Sequence, residues 1–468
     1  MLLAIVVLCF SLTIWGQNSS TTPIRAPHVD ERVELLSIVF RLAGTSEFNT
    51  NALPLYSSRI DKYFSPYSKH PAVLMAKKLV QTKQMGADDV MVLALALTEP
   101  PDINLRQLSS PDEKWTEEDL EQFLPLLIHF YRDTEFEKFY QSNKPIYDAA
   151  DAHFAELLTK VNFSWISQFY GENPGITLHI VLGLNNGTNN YEFRMQHEDK
   201  SLHQYSIIGC WTSDGDGAPS YTPETDYLTI IVRDVHNSYI VPEVESAWRT
   251  MGTAPEVIFR AESESMQTLG VSDAKAMIEE SLLRSALILS NEQSGDDERK
   301  VLHRVREEQG NGFDWMDKQV DLLHFYSQNR LVYPSFKKYF PQFVTFYMNL
   351  APKIDAVKSD FAKKSVHVAR VEPMVNGAAN VDPTLKSITV TFDKQLNMAK
   401  NFSFNGSADA EIKFPISGRP TYTNGGTSIM IPINLEPASH YAFDLTSDIL
   451  ESSDGYPLKT YHVDFKTR

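Results

Sequence analysis

This chain predicts a multidomain α+β protein: a mainly helical domain containing a small central sheet, followed by an all-β sandwich. Three observations predict it. From Val33 to Ile354 apolar residues recur three and four apart, the spacing that lines one face of a helix. Inside that stretch, three short β-branched runs are bounded by Gly, Asn, Asp and Pro, which is strand and turn chemistry. From Val366 the period drops to two, so alternate side chains fall on opposite faces of a strand. The expected organisation is residues 1–17 as a signal peptide, 18–32 as a linker, 33–355 as the helical domain with its sheet, and 366–468 as the sandwich.

The bulk properties bound the function. With 468 residues, 42% hydrophobic, the chain can bury a large core. A net charge of −17 excludes a nucleic-acid partner, because phosphate contacts need clustered Lys and Arg. The apolar run Leu2 to Trp15, closed by Gly16, reads as an export signal. No segment reaches the roughly 20 apolar residues of a spanning helix, so no membrane-spanning segment is expected. The expected location is therefore the periplasm or the extracellular space. Lipoprotein anchoring through Cys9 is the less expected route, since Leu8 is a poor match to the cleavage site. Cleavage would leave Cys210 as the only cysteine, and so no intramolecular disulfide.

Taken in order, the run Val33 to Ala43 is helical and stops at Gly44. Gln122 to Tyr131 and Gln319 to Tyr326 repeat the pattern. The runs Ile176 to Gly183, Tyr205 to Trp211 and Tyr227 to Val232 read as strands of one sheet. Asn185 to Tyr191 and Ser213 to Gly217 are turn segments. In the C-terminal part, Ser387 to Asp393 and Ser428 to Ile433 are strands, separated by turns at Asn405-Gly406 and Asn424-Gly425-Gly426.

Certain residues carry resemblances. Val371-Glu372-Pro373 with Gly377, Thr391-Phe392-Asp393, Leu435-Glu436-Pro437 with Tyr441, Gly455, and Asp464-Phe465-Lys466-Thr467 closely resemble the bacterial immunoglobulin-like domain first seen in surface-layer proteins. That resemblance implies a spacer or docking unit, with envelope partners engaged through it. In the first 350 residues the matching runs are Glu34-Leu35-Leu36-Ser37 with Arg41-Leu42-Ala43-Gly44, Ile60-Asp61-Lys62-Tyr63-Phe64 with His70-Pro71, and Phe130-Tyr131-Arg132-Asp133-Thr134. Gly183 with Asn189-Asn190-Tyr191, Gly312-Phe313-Asp314-Trp315, and Gln328-Asn329-Arg330 with Tyr333 continue the order. Together these resemble a family of secreted, largely uncharacterised bacterial proteins common in Bacteroidetes. In that family one helix carries His-Glu-Phe-x-His-Ser-Phe and a later helix carries Asn-Glu-x-x-x-Arg-Ala. The arrangement is similar to zinc peptidases whose third ligand is a glutamate, and so implies a zincin-like helical domain.

Aligned through Ser238-Tyr239 and Pro242, this chain puts Arg233 at the first histidine, Asp234 at the general base and Asn237 at the second histidine. A protonated guanidinium has no lone pair for a metal. His236 does not restore the pair, since Val232 and Ile240 stand four residues either side of it. Asp234 and His236, two apart, point about 200° from each other on a regular helix. Glu280 stands at the third-ligand position with Arg284 one turn on, and Glu279 and Ser285 depart from the pattern. The expectation is a metallopeptidase-like scaffold that has lost its zinc, with Arg233 supplying a counter-charge to Glu280. In the competing reading, Arg233 and Asp234 are ordinary solvated residues at a helix start. The expected function is non-catalytic binding, with a peptide or glycan held near Trp165, Phe169, Tyr170 and Asn189-Asn190-Tyr191, and no cofactor. The alternative is an active metal-dependent hydrolase holding zinc irregularly through His236 and Glu280, with Asp234 as base.

Overall fold

Asp30 begins the first long helix, Glu31–Ala43, by accepting a hydrogen bond from the Arg32 backbone N–H, and Gly44 ends it at φ 96°. That positive φ is where glycine carries no Cβ penalty. The computed structural model describes residues 24–468 apart from 107–113, 198, 216, 223–225, 400–403, 407–408, 410 and 447–449. The segment expected to be an export signal, with Cys9, therefore lies outside the described residues. The chain divides into two compact units, Met1–Tyr239 and Ile240–Arg468, and the division falls inside the helix Tyr227–Met251.

In the first unit, helices surround a four-stranded sheet of order β1-β2-β4-β3. The strands are β1 (His28–Val29), β2 (Ile176–Gly183), β3 (Tyr191–Gln196) and β4 (Leu202–Gly209). β1, β2 and β4 run parallel and β3 is antiparallel to β4. β1 falls in the segment read as a linker. Against the helices, Phe64 packs on Phe130, Phe136 and Phe139, with ring centroids 4.7 to 5.9 Å apart.

The run Tyr227 to Val232, expected as a strand, is instead the first turns of the helix Tyr227–Met251. Its β-branched residues favour extended backbone, but Tyr227, Ile231, Val235, Ile240 and Val244 are all buried. Tyr227, Ile231 and Val235, four apart, make one apolar helical stripe whose burial outweighs local propensity.

The second unit begins with a helical part that includes Ala254–Ala261, Ala274–Gln293, Glu298–Gly310, Met316–Gln328, Phe336–Leu350 and Ile354–Lys364. Seven strands follow: β5 (Val368–Glu372), β6 (Ser387–Phe392), β7 (Asn405–Gly406), β8 (Thr421–Thr423), β9 (Ser428–Pro432), β10 (His440–Leu445) and β11 (Tyr461–Lys466). They form two antiparallel sheets, β5-β6-β9-β8 and β11-β10-β7. Ile388, Val390, Phe392, Ile429 and Ile431 from one sheet share a core with Tyr441, Phe443, Val463 and Phe465 from the other. Tyr441 also accepts the Glu436 backbone N–H at 2.7 Å, which ties the turn before β10 to the core. The fold is thus α+β, mainly helical and then all antiparallel β. Among the described residues no helix is long and apolar enough to cross a membrane.

Candidate functional site

The face that β3 and β4 present to the motif helix Tyr227–Met251 follows from their register. Glu192 pairs with Ser206 and Arg194 with Gln204, and residues two apart on a strand share a face. From that face the Gln204 amide donates to the Asp234 carbonyl at 3.0 Å, and the Arg194 guanidinium donates to the Asn237 carbonyl at 3.1 Å. Asp234 is 7% exposed, two turns inside the helix rather than solvated at its start. Burial pushes its carboxyl well above the ordinary carboxylate range, and the charge of Glu192 pushes it further. The Ser206 hydroxyl and the Arg233 charge act in the opposite direction and are smaller. The protonated form of Asp234 is therefore favoured, facing Glu192, whose side chain is about a third open to solvent and 3.4 Å from Arg194.

His236 leaves the helix on another side. It is fully buried, its Nδ1 lies 2.8 Å from the Tyr170 hydroxyl, and no partner is found for its Nε2 among the described residues. Tyr170 stacks on Tyr239 at 4.1 Å and Trp165 stacks on Phe169 at 5.0 Å. Phe169 and Tyr170 are core residues and Trp165 is half-buried. Burial lowers the His236 pKa to about 3, so the imidazole is neutral. A base depressed in the folded state binds fewer protons than in the unfolded chain. Its stabilising contribution is therefore present above the ordinary value of 6.5 and lost as pH falls below it. Chemical denaturation at about pH 7.5 and about pH 5.5 should show wild type losing about 1.4 kcal/mol more than His236→Phe between those two values. Equal losses would contradict the burial of this ring.

The runs quoted for the family resemblance have structural work of their own. Glu34 is buried and accepts the Leu184 backbone N–H at 2.9 Å and the Tyr56 hydroxyl at 2.6 Å. Burial pushes its carboxyl up to about 7. Arg41 pairs with Asp61 through two 2.9 Å bonds and donates to the Phe48 carbonyl at 2.7 Å. Asn189 donates to the Asn186 carbonyl and Asn190 accepts the Gly209 N–H. Those two asparagines staple the β2–β3 loop, so their side chains are spent on the fold. At Gly209 a Cβ would lie 2.2 Å from the Gly187 carbonyl oxygen.

In the second unit, Asp273 caps the helix Ala274–Gln293 by accepting the Lys275 and Ala276 N–H groups. Arg284 holds Glu280 at 2.8 Å and Glu308 at 2.5 Å, and lies over the Phe313 ring. Glu280 thus has a counter-charge within its own unit, one helical turn away. Gln319 joins the same helix from below. It accepts from the Ser281 and Tyr347 hydroxyls and donates to the Ser281 carbonyl and the Ser285 hydroxyl, all within 2.9 Å. Ser285, where the family motif has alanine, is explained by that contact.

Two groups escaped the sequence reading. Glu192 is one, and its signal was the polar alternation in Tyr191 to Gln196. The other is the buried pair Glu262 and Asp314, which lines a cavity of about 390 Å³ with Lys358 and Phe361. Burial raises their carboxyls to about 7 and about 6, and Lys358 donates to Glu262 at 2.9 Å. Asp314 lay inside a quoted family run, but nothing in the sequence tied Glu262 to it.

No curated protein matches the chain. Among solved structures it is similar to the crystal structure of the S-layer protein rSbsC(31-844), at 13% identity with a TM-score of 0.18, covering 51% of this chain and 33% of that one. It is also similar to the N-terminal part of the bacterial S-layer protein SbsC, at 12% identity with a TM-score of 0.17, covering 53% of this chain and 60% of that one. Residues 26–346 match the family described as Domain of unknown function (DUF4932), a span that includes both motif helices, and the chain belongs to that family.

Proposed function

We propose that this is an exported, metallopeptidase-like protein that has lost its zinc site and acts by binding, as a component of the cell envelope. The observation that carries the reading is the state of the motif helix. Arg233 has no lone pair to give a metal, and the Asp234 carboxyl is turned to Glu192 rather than to a metal-bound water. His236 sits in the aromatic core against Tyr170, and Asn237 stands where the second histidine would be. These groups do not fit zinc. A peptide or glycan is the proposed ligand class, with the half-buried Trp165 as its aromatic contact, and the C-terminal immunoglobulin-like module as the docking unit.

The test is metal content measured together with peptidase activity on the purified mature chain. The expected result is far less than one zinc per chain and no zinc-dependent cleavage. Stoichiometric zinc that disappears in His236→Ala or Glu280→Ala would establish the irregular hydrolase instead, with the unpartnered Nε2 of His236 as its ligand atom.

A further inference from the structure

The face of the β3–β4 hairpin opposite the motif helix carries a cluster of imidazoles. His179 of β2 places Nε2 at 2.7 Å from Nδ1 of His203 on β4. The His197 ring, just past β3, stacks on His203 at 3.7 Å and 11°, and its Nε2 lies 3.0 Å from the Tyr205 hydroxyl. Tyr205 in turn stacks on His179 at 4.4 Å. His203 and Tyr205 alternate along β4 with Gln204 and Ser206, which face the motif helix. The hairpin therefore bears His197 and His203, joined by His179 of β2, on one face and the support of Asp234 on the other.

From this geometry we infer that His179, His197 and His203 form an acid-sensing element that loosens the hairpin beneath the motif helix when they are protonated. An N–H···N bond needs one of its two rings neutral, because two imidazolium rings are both donors and neither accepts. Protonating His179 and His203 together removes that bond, and protonating His197 as well stacks one cation on another. The surroundings add to the repulsion. Arg25 and His28 act on His179 from the segment paired to β2, Arg25 also acts on His203, and Arg106 and Arg32 act on His197. Among the described residues, the carboxylate that offsets these charges is Asp199, which itself accepts the Ser201 N–H at 2.9 Å. Asp30 is held by Arg32. All three rings are correspondingly harder to protonate than a free histidine, each first through burial, and His179 is brought down to about 3. The sign follows directly. The cluster's stability is complete above about pH 6.5 and is lost progressively on acidification, as the unfolded chain takes up protons that the folded cluster resists.

The inference does not depend on what the motif-helix site binds, and its test reads the hairpin alone. Amide exchange of residues 191–209 is measured on the full mature chain at about pH 7.5 and about pH 5.5, corrected for intrinsic rates, in wild type and in His203→Gln. Glutamine keeps hydrogen-bonding capacity without a titrating ring. The expected result is that wild type loses roughly tenfold protection or more in the hairpin on acidification, tenfold corresponding to one ring that takes up one proton over one pH unit, and that His203→Gln, which removes one ring and its bond to His179, loses several-fold less. His197→Gln is the second variant should His203→Gln fail to fold, and it should remove part of the effect. Equal losses in wild type and in a folded variant, or unchanged hairpin protection in wild type, would overturn the inference.

Discussion

Replacing Glu34 with alanine should destabilise the first unit more than any surface change. The carboxylate is fully buried and receives the Leu184 N–H, the Asn185 N–H and the Tyr56 hydroxyl. Each donor left without a partner in the interior costs about 1–3 kcal/mol, so the expected loss is roughly 3–6 kcal/mol by urea denaturation. Glu34→Gln keeps an acceptor for one arm and should cost about half as much. The β2–β3 loop should also become accessible to limited proteolysis in Glu34→Ala, because its first residues are held from this side chain. A loss below about 1 kcal/mol would mean that the loop is held by its own asparagines and not from the helix.

The second large effect is expected at Gln319. Its amide satisfies Ser281, Ser285 and Tyr347 at once, and Trp315 Nε1 completes the cluster at 2.9 Å from the Ser281 hydroxyl. Gln319→Leu fills the same space but leaves the Ser281 and Tyr347 hydroxyls buried without their acceptor, at an expected cost of about 3–5 kcal/mol. The control is Gln319→Leu combined with Tyr347→Phe, which removes the orphaned phenol and keeps the Ser281 hydroxyl as acceptor of the Trp315 N–H. It should recover about half of the loss. Denaturation followed through tryptophan fluorescence reads both variants. No recovery in the double variant would show that the loss comes from packing and not from an unsatisfied hydroxyl.

The two periodicities, and so the fold class, were legible because they depend on which residues are buried, and burial leaves a spacing in the sequence. The incompatibility of Arg233 with a metal was legible from charge alone. The opposite directions of Asp234 and His236 followed from helical geometry. Other features were not. Tyr227 to Val232 favours a strand locally, and only the stripe that continues from Tyr227 and Ile231 to Val235 decides for a helix. Glu192 and Asp234 lie 42 residues apart in number, and nothing in either segment announces that a strand register will bring them together. Glu262 and Asp314 escaped for the same reason. The roles of Glu34 and Arg41 were hidden differently, because a charged residue in a helix reads as solvated until its helix proves to be buried on nearly every side.

The anchoring of the β2–β3 loop has a consequence for how the first unit assembles. Glu34 reaches Leu184 across 150 residues of chain and Arg41 reaches Asn185 across 144. β1 also pairs with β2 through Val29 and Leu182. Contacts of such sequence separation must meet their loop-closure entropy before they return any stabilisation, which makes folding slow. The helix Glu31–Ala43 leaves the ribosome well before β2 and is nevertheless completed only when β2 and the loop after it arrive, so its buried charges stay hydrated until then.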